Sequence, residues 1–555
     1  MGVRPRLLLV ALAAGIALAD GSIVTLALPE ILVDLHATVE GVAAVIGVYT
    51  VVIAAALLPL ERAASAFSVR AIGAGGLALM AAASIVCATA GDLTPLLVAR
   101  GAQALGGAAG LVAAFALLGG PDVRHGRRVW VGAAVVGTAI GPALGGALTE
   151  VFSWQAIFVF QAPVAAAAAV AILLGPAPAH LVTPAVPEPR GRFGARPAIA
   201  LGLVSAALSA VLFLLVLLLV AGWSVSPLGA AAVVSAIPLA AAVGTRFHGD
   251  PRVRAAVGCA LVGGGVLAMA WLPQPNVLWT LVPQALAGAG MGLALPALAG
   301  GLLPETTVHD AARTLAVRHA GIAVALVALA PVVANQLDAA TERAKEQGVA
   351  LVLDAPFDPQ KKLDLAPALL RGVDAQDPRD GLRRALAAER RRFSGTELAA
   401  YDRMAQRADD TVTSAVANAF KAAFLITGAL AILAALVVAP WPPARRSLLA
   451  LAGGALIAVA APAAYAAAHS ALAPEPVRIQ DPCHAQRSAP STGGITGFLQ
   501  DRALQLLDST ACRLGATREE LVLALGDPAE ARRFKQKHGV DPSQAAGLLK
   551  GLLGG

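Results

Sequence analysis

The apolar positions of this chain neither alternate nor keep to one helical stripe; they come in solid blocks. Windows of about 20 residues, enough for a helix to cross a hydrocarbon layer of about 30 Å, fall at 7–31, 40–60, 70–90, 94–118, 129–150, 155–175, 197–221, 226–244, 254–272, 278–302, 315–336, 416–440 and 446–470. The pattern predicts thirteen spans and an all-α integral membrane protein. Two polar blocks interrupt it. Residues 337–415 hold 13 Lys/Arg and 14 Asp/Glu, with helical runs such as "GLRRALAAERRRF". Residues 472–555 begin with the Pro-rich "ALAPEPVRIQDPC" and then read as short helices. There "TREE", Thr517 to Glu520, has the spacing of a capping box.

The spans fall into two sets of six. "VRAIGAGGLALM" (69–80) and "VRAAVGCALVGG" (253–264) each lead from a basic loop into a Gly-rich helix, six spans apart. With the linker "GPAPAHLVTPAVPEPRGRFGARP" between the sets, this fits two homologous bundles around a central cavity. The predicted organisation is a first bundle at 1–175, a cytoplasmic linker at 176–196 and a second bundle at 197–440 that contains the insertion 337–415. An additional span at 441–471 and a helical tail domain at 472–555 follow.

Charge sets the orientation. Of the 555 residues 57% are hydrophobic and 14% charged, with a net charge of +7. The basic residues are spread over alternate short loops (Arg62, Arg70, Arg124, Arg127, Arg190, Arg246), whereas "LVDLHATVE", "AGDLTP", "FSWQ", "GWSVSP" and "LPQPN" have none. That bias places the N-terminus in the cytoplasm and, by parity, the insertion and the tail outside the cell membrane. It also makes the positive charge a topology signal and excludes a nucleic-acid partner. The first apolar block runs past Asp20 into "LALPEI" without a small-residue cleavage site, so it is read as a retained span. Cys87 and Cys259 lie in spans and Cys483 and Cys512 in the tail. An oxidising compartment lets the tail pair form a disulfide; two free thiols or an incomplete metal site are the alternatives.

Few residues in the spans can carry chemistry. Asp20 interrupts "GIALADGSIVTLALPEI" near its middle, where a carboxylate costs about 2.5 to 3.5 kcal/mol on insertion scales. It therefore needs a cavity, a partner or a proton, and protonation exchanged first with one side and then with the other makes it a proton-coupling candidate. Hydrogen bonds to neighbouring helices through Ser22 or Thr25 are the structural alternative. Arg100, in "LLVARGAQALGG", cannot shed its proton and needs a carboxylate, carbonyls or water, so Asp20 is a candidate partner. Gln103, three residues on, shares its face and is a candidate substrate contact. His319, beside Arg318, is a candidate second protonatable group in a substrate cavity that would also include Ser22 and Thr25; the alternative is an interfacial histidine. Glu150 is expected to be solvated at the outer end of its span. In "GTAIGPALGG", Gly137, Gly141, Gly145 and the adjacent Gly146 sit at helical spacing around Pro142, a face that allows close helix approach and a bend.

At these residues the chain resembles the major facilitator superfamily, and within it the drug/proton antiporter branch that often has fourteen spans. "LADGSIVTLALPEI" is similar to that branch's first-span motif, "LLVARGAQALGGA" to the superfamily's fourth-span Arg motif and "GTAIGPALGG" to its antiporter motif. The resemblance implies two six-helix bundles that rock about a midplane cavity, a coupling role for Asp20 and Arg100, and small-molecule substrates exchanged for protons. The chain departs from the branch in two places. The two spans the branch often carries between the bundles are absent, and the loop after span 2 reads "LERAASAFSVR", with Glu61 at the family's glycine and Ser65 at its aspartate. In the family that loop latches the cytoplasmic side in one state.

Other classes find no footing. There is no G-x-x-x-x-G-K-[ST] loop for ATP phosphates, "GAGMG" lies inside span 10 without a strand context, and the nine histidines are dispersed. No cofactor, metal or catalytic residue is expected. The sequence reads as a proton-coupled exporter of hydrophobic or amphipathic molecules. The alternative is a transporter-like receptor or scaffold that meets an extracytoplasmic protein partner through its insertion and tail.

Overall fold

A computed structural model describes residues 5–118, 137, 139–174, 193–303, 307–356, 361–362, 365, 378–484 and 494–542. Among these residues the protein is all-α, apart from an isolated bridge between Ala299 and Leu303. Within them lie 12 helices long and apolar enough to cross a membrane. These coincide with twelve of the predicted spans. The remaining one, span 5, lies partly outside the described residues and is helical over 139–151. Two compact units emerge, one of residues 1–220, 225–335 and 420–472 and another of 221–224, 336–419 and 473–555.

The first unit contains the spans. Their ends are set by local chemistry. Thr38 Oγ1 accepts the Gly41 N–H at 3.1 Å to start span 2 (Val39–Ala66), and Ser68 Oγ accepts the Ala71 N–H at 3.3 Å to start span 3 (Val69–Ala88). Asp250 takes the N–H groups of Arg252 and Val253 at 2.9 and 3.0 Å, with Pro251 as first residue of span 9. Each cap satisfies donors that a helix start leaves without partners.

Small residues then bring the helices together. Span 3 crosses span 4 (Leu93–Leu118) where a Cβ on Gly106 would stand 2.4 Å from Gly76 O. Span 9 crosses span 10 (Leu278–Leu298) in the same way, with a Cβ on Gly290 falling 2.4 Å from Gly258 O. The two repeated sequence stretches thus make equivalent crossings in the two halves. Lipid gives apolar surfaces no reason to associate, so this close van der Waals contact supplies much of the cohesion. The additional span, Arg445–Leu472, is mostly exposed and rests on span 9 at Ala458 and Gly264 and on span 10 through Tyr465, whose hydroxyl donates to Trp279 O at 2.8 Å.

Two helices outrun their expected bounds. Span 11 begins at Val308 rather than 315 and continues as one 47-residue helix to Asp354. Before span 12 (Lys421–Val438) lies the helix Gly395–Ala419, drawn from the polar insertion. Charged residues end an apolar window without ending a helix, because Arg, Lys and Glu are good helix formers.

The second unit draws on both polar blocks, which the sequence presents as separate segments. Arg379 grips Asp409 through two bonds of 2.9 and 2.8 Å and donates to Trp223 O at 2.7 Å. Lys345 reaches Glu530 at 3.1 Å, and Arg518 lies between Asp354 and Glu519 at 2.9 Å from each. Phe393 stacks on Tyr401 at 4.5 Å. Thr517 and Glu520 form a reciprocal capping box, and Cys483 is bonded to Cys512.

Candidate functional site

Five spans of the first unit converge on one buried polar cluster. Asp20 on span 1 (Pro5–Thr25) and Arg100 on span 4 are both completely buried and meet as a two-pronged ion pair. Nη1 donates to Oδ1 at 2.9 Å and Nη2 to Oδ2 at 2.5 Å. Arg100 also gives Nε–H to Val45 O on span 2 at 3.1 Å and Nη1–H to Gln103 Oε1 at 2.5 Å. Gln103 Nε2 donates onward to Ser84 Oγ on span 3 at 2.8 Å and to Gln161 Oε1 on span 6 (Gln155–Leu173) at 2.6 Å. Gln161 Nε2 closes the circuit on Asp20 Oδ1 at 3.0 Å. The Tyr49 ring lies against the guanidinium, and Phe158 flanks it at 5.7 Å.

This arrangement answers how the acid is accommodated. The cation compensates it, rather than a neighbouring hydroxyl. Ser22 Oγ donates to Ala19 O at 2.8 Å and Thr25 Oγ1 to Gly21 O at 2.5 Å, so neither bonds the carboxylate. A planar guanidinium matches a carboxylate with two parallel bonds, the geometry best suited to pairing charges out of water.

A separate cavity of about 120 Å³ lies beside the cluster. Spans 1, 2, 5, 7, 8, 10 and 11 all contribute to its wall, so both bundles enclose it. Ser22, Thr25 and His319 line it, as does Pro142 of span 5. Asp20 does not: the cavity reaches its neighbours Gly21 and Ser22 while the carboxylate stays behind them. Of the cavity, the partner or the proton that Asp20 needs, this conformation supplies the partner, Arg100. Gln103 is likewise outside the wall, because its amide is consumed by Arg100, Ser84 and Gln161. His319 is no interfacial residue. It lies 11 residues beyond Val308, with Nδ1 donating to Leu315 O at 2.8 Å, and is buried among the cavity helices. Arg318 beside it also lines the cavity.

Span 5 is held against span 1 by its glycines. A Cβ on Gly137 would stand 2.5 Å from Gly15 O, on Gly141 2.1 Å from Ser22 Oγ, and on Gly145 2.2 Å from Ile23 O. Gly146 faces elsewhere, toward Pro227 and Ala231 of span 8 (Pro227–Gly244), and so joins the two bundles. Glu150 accepts the Leu228 N–H at 2.8 Å, which adds a bond to the solvated role expected of it. Across the unit from these contacts in sequence, Glu61 Oε2 lies 3.1 Å from His309 Nδ1 at the start of span 11. The segment around Glu61 and Ser65 is helical, part of span 2, rather than loop.

Sequence reasoning missed Gln161, Tyr49 and the cavity position of Arg318. Gln161 had a signal, a lone amide in the apolar run "FVFQAP". Arg318 lies inside the apolar window 315–336 and enters the sequence reading only as the neighbour of His319, because a window marks a span and not which of its residues faces a cavity. Among the described residues no group of His, Cys, Asp and Glu could hold a metal ion.

A family model described as Major Facilitator Superfamily matches residues 10–334. The multidrug resistance protein Stp of Mycobacterium tuberculosis is 32% identical over 152 residues, 26% of this chain and 28% of that protein. The tetracenomycin C resistance and export protein of Streptomyces glaucescens is 32% identical over 176 residues, 31% of this chain and 32% of its own. The drug efflux pump JefA of M. tuberculosis is 31% identical over 182 residues, 31% of this chain and 36% of its own. These matches thus span about a third of each relative. A solved bacterial homologue of the human lysosomal transporter Spinster, inward-facing and unoccupied, superposes with a TM-score of 0.54 at 15% identity, over 80% of this chain and all of the other. That likeness concerns the fold.

Proposed function

The chain belongs to the major facilitator superfamily, and on that premise we propose that it is a proton-coupled exporter of hydrophobic or amphipathic small molecules, working by alternating access. The observation that carries this reading is the buried Asp20–Arg100 pair next to a cavity walled by both bundles. Arginine keeps its proton, so Asp20 is the member of the pair whose charge can change. Protonating it would release one prong of the pair while Gln103 Oε1 and Val45 O still hold the guanidinium. Charge on the pair is then linked to the arrangement of spans 1, 2 and 4, and spans 1 and 2 also line the cavity. Matched regions of relatives named for drug efflux and export support the direction of transport.

In this reading the N-terminus is cytoplasmic and the second unit extracytoplasmic. The Lys/Arg bias of the loops supports that orientation, and so does the Cys483–Cys512 bond, which persists in an oxidising compartment. The cavity is small beside the roughly 300 Å³ or more of drug-sized sites, so loading requires the bundles to part.

The test is reconstitution into vesicles with an imposed pH gradient, following uptake of amphipathic dyes of either charge. Gradient-driven uptake that disappears in Asp20→Asn supports the proposal. Uptake of no dye under any gradient, with an extracytoplasmic protein captured by the second unit, would favour the receptor reading instead.

A further inference from the structure

Arg318 stands ten residues into the span 11 helix, about 15 Å from its start and inside the apolar window 315–336. It lines the cavity, and among the described residues it has no carboxylate and no hydrogen-bond partner. No acidic residue lines the cavity with it. Asp20, whose neighbours Gly21 and Ser22 reach the cavity, is committed to Arg100 and Gln161. Every other contribution to charge there is neutral or positive: His319 is adjacent, with Nδ1 tied to Leu315 O, which leaves Nε2 as its second site. Ser205, across the cavity on span 7, has a buried Oγ without a partner. Leu208, Leu212, Ile237, Leu295 and Ile322 complete an apolar wall. A cation enclosed among membrane spans costs several kcal/mol unless a counter-charge reaches it, and intramembrane charges facing cavities mark substrate paths.

We propose that Arg318 is the anion-binding residue of the central cavity, and that the occupant is a small organic anion with an apolar body and a carboxylate, sulfonate or similar head. The apolar wall receives the body, while Arg318 and the Ser205 hydroxyl receive the head. This deepens the transporter reading and rests on the same cavity, but it concerns which charge the cavity accepts. An acid-free wall with a free guanidinium repels the lipophilic cations that an acid-lined cavity would attract. Specificity therefore comes from Arg318 as much as from shape.

The test uses one naphthalene body with three heads, 2-naphthalenesulfonate, 2-naphthylmethanol and 2-naphthylmethyltrimethylammonium, titrated calorimetrically into the full chain in nanodiscs of phosphatidylcholine. The expected order is sulfonate above alcohol above ammonium. In Arg318→Gln the sulfonate weakens about tenfold or more, the cost of one charge-assisted bond, while the alcohol is unchanged. Arg318→Lys retains part of the preference. Arg318→Gln removes a lone buried charge, so its melting temperature is expected to hold or rise, and the lost affinity is not lost folding. Ammonium binding at least as tightly as sulfonate, or sulfonate affinity unmoved by Arg318→Gln, overturns the proposal. A last arm adds phosphatidylglycerol to the nanodiscs: unchanged sulfonate affinity supports a soluble occupant, and displacement assigns the site to a lipid headgroup and overturns it. Sulfonate binding through Arg318 without flux in the vesicle assay would leave this inference standing and remove the transport reading. Pumping of ammonium dyes without sulfonate binding would do the reverse.

Discussion

The guanidinium carbon of Arg100 lies 4.3 Å from the centre of the Tyr49 ring. Tyr49 also lines the cavity and donates its hydroxyl to Ala17 O at 3.0 Å. One side chain therefore touches both the ion pair and the space where substrate is proposed to bind. The ring offers the cation its electron-rich face while shielding it from water, and such contacts are worth about 2 kcal/mol when desolvated.

Replacing Tyr49 separates these roles. Tyr49→Phe keeps the ring and loses one hydrogen bond, a change of about 1 kcal/mol, and coupling should survive. Tyr49→Ala removes the ring and costs about 3 to 5 kcal/mol in packing. It also opens a route from the cavity to the charged pair. Vesicles carrying Tyr49→Ala should leak protons without substrate, measured with an internal pH dye, whereas Tyr49→Phe vesicles should stay tight.

The pair itself should show strong non-additivity. Removing Arg100 leaves a buried carboxylate without its cation, and removing Asp20 leaves the cation with neutral acceptors only; either change breaks a pair at a cost of about 3 to 5 kcal/mol. Arg100→Gln and Asp20→Asn should each lower the melting temperature in detergent. The double variant should lose far less than the sum, because two amides can keep neutral hydrogen bonds to Gln103 and Gln161. Additive losses would mean that the two side chains act independently.

Asp20 and Arg100 are legible in sequence because a lone charge in an apolar run has few explanations. Their bond is not legible, since 80 residues separate them and only the crossing of spans 1 and 4 brings them together. The glycines of span 5 show their spacing plainly. Which partner each one meets depends on side-chain direction, and Gly146 turns toward span 8 while Gly145 beside it meets span 1. Gln103 illustrates the same limit: a correct face and depth did not place it on the cavity, because three neighbours had already taken its amide. Span 11 fails for another reason. Hydropathy places Arg318 and His319 inside the window 315–336 but carries no information on which side of the helix meets the cavity, and that is settled only by the packing of the other spans around it.

The span 5 glycines separate cheap clashes from costly ones. At Gly141 an added methyl meets Ser22 Oγ, the end of a side chain that can turn away at the loss of its bond to Ala19 O. At Gly145 the methyl meets the Ile23 carbonyl, backbone that moves only if span 1 moves. Gly141→Ala should therefore cost about 1 kcal/mol in stability. Gly145→Ala should cost roughly 1 to 3 kcal/mol, as overpacking does, and depress transport as well. Thermal unfolding together with vesicle uptake checks both, and equal effects at the two positions would contradict the contacts described.

Acid should loosen the second unit through Glu520. Burial pushes this carboxyl up, but bonds from Lys537 and from the Thr517 N–H at 3.0 Å outweigh burial and hold it below the ordinary carboxylate range. A carboxylate with a depressed folded value binds protons more readily in the unfolded chain. Its stabilisation is complete above the unfolded value of about 4.3 and is lost as pH falls from there through the folded value. Limited proteolysis between pH 7 and pH 3 should show the cuts in the capped helix Arg518–Gly526 increasing only below about pH 4.3. In Glu520→Gln the capping contact to the Thr517 N–H can persist through the amide oxygen while the charge on Lys537 loses its partner. That variant should be cut more readily at neutral pH and respond less to acid; a wild-type profile in Glu520→Gln would assign the acid response to another group.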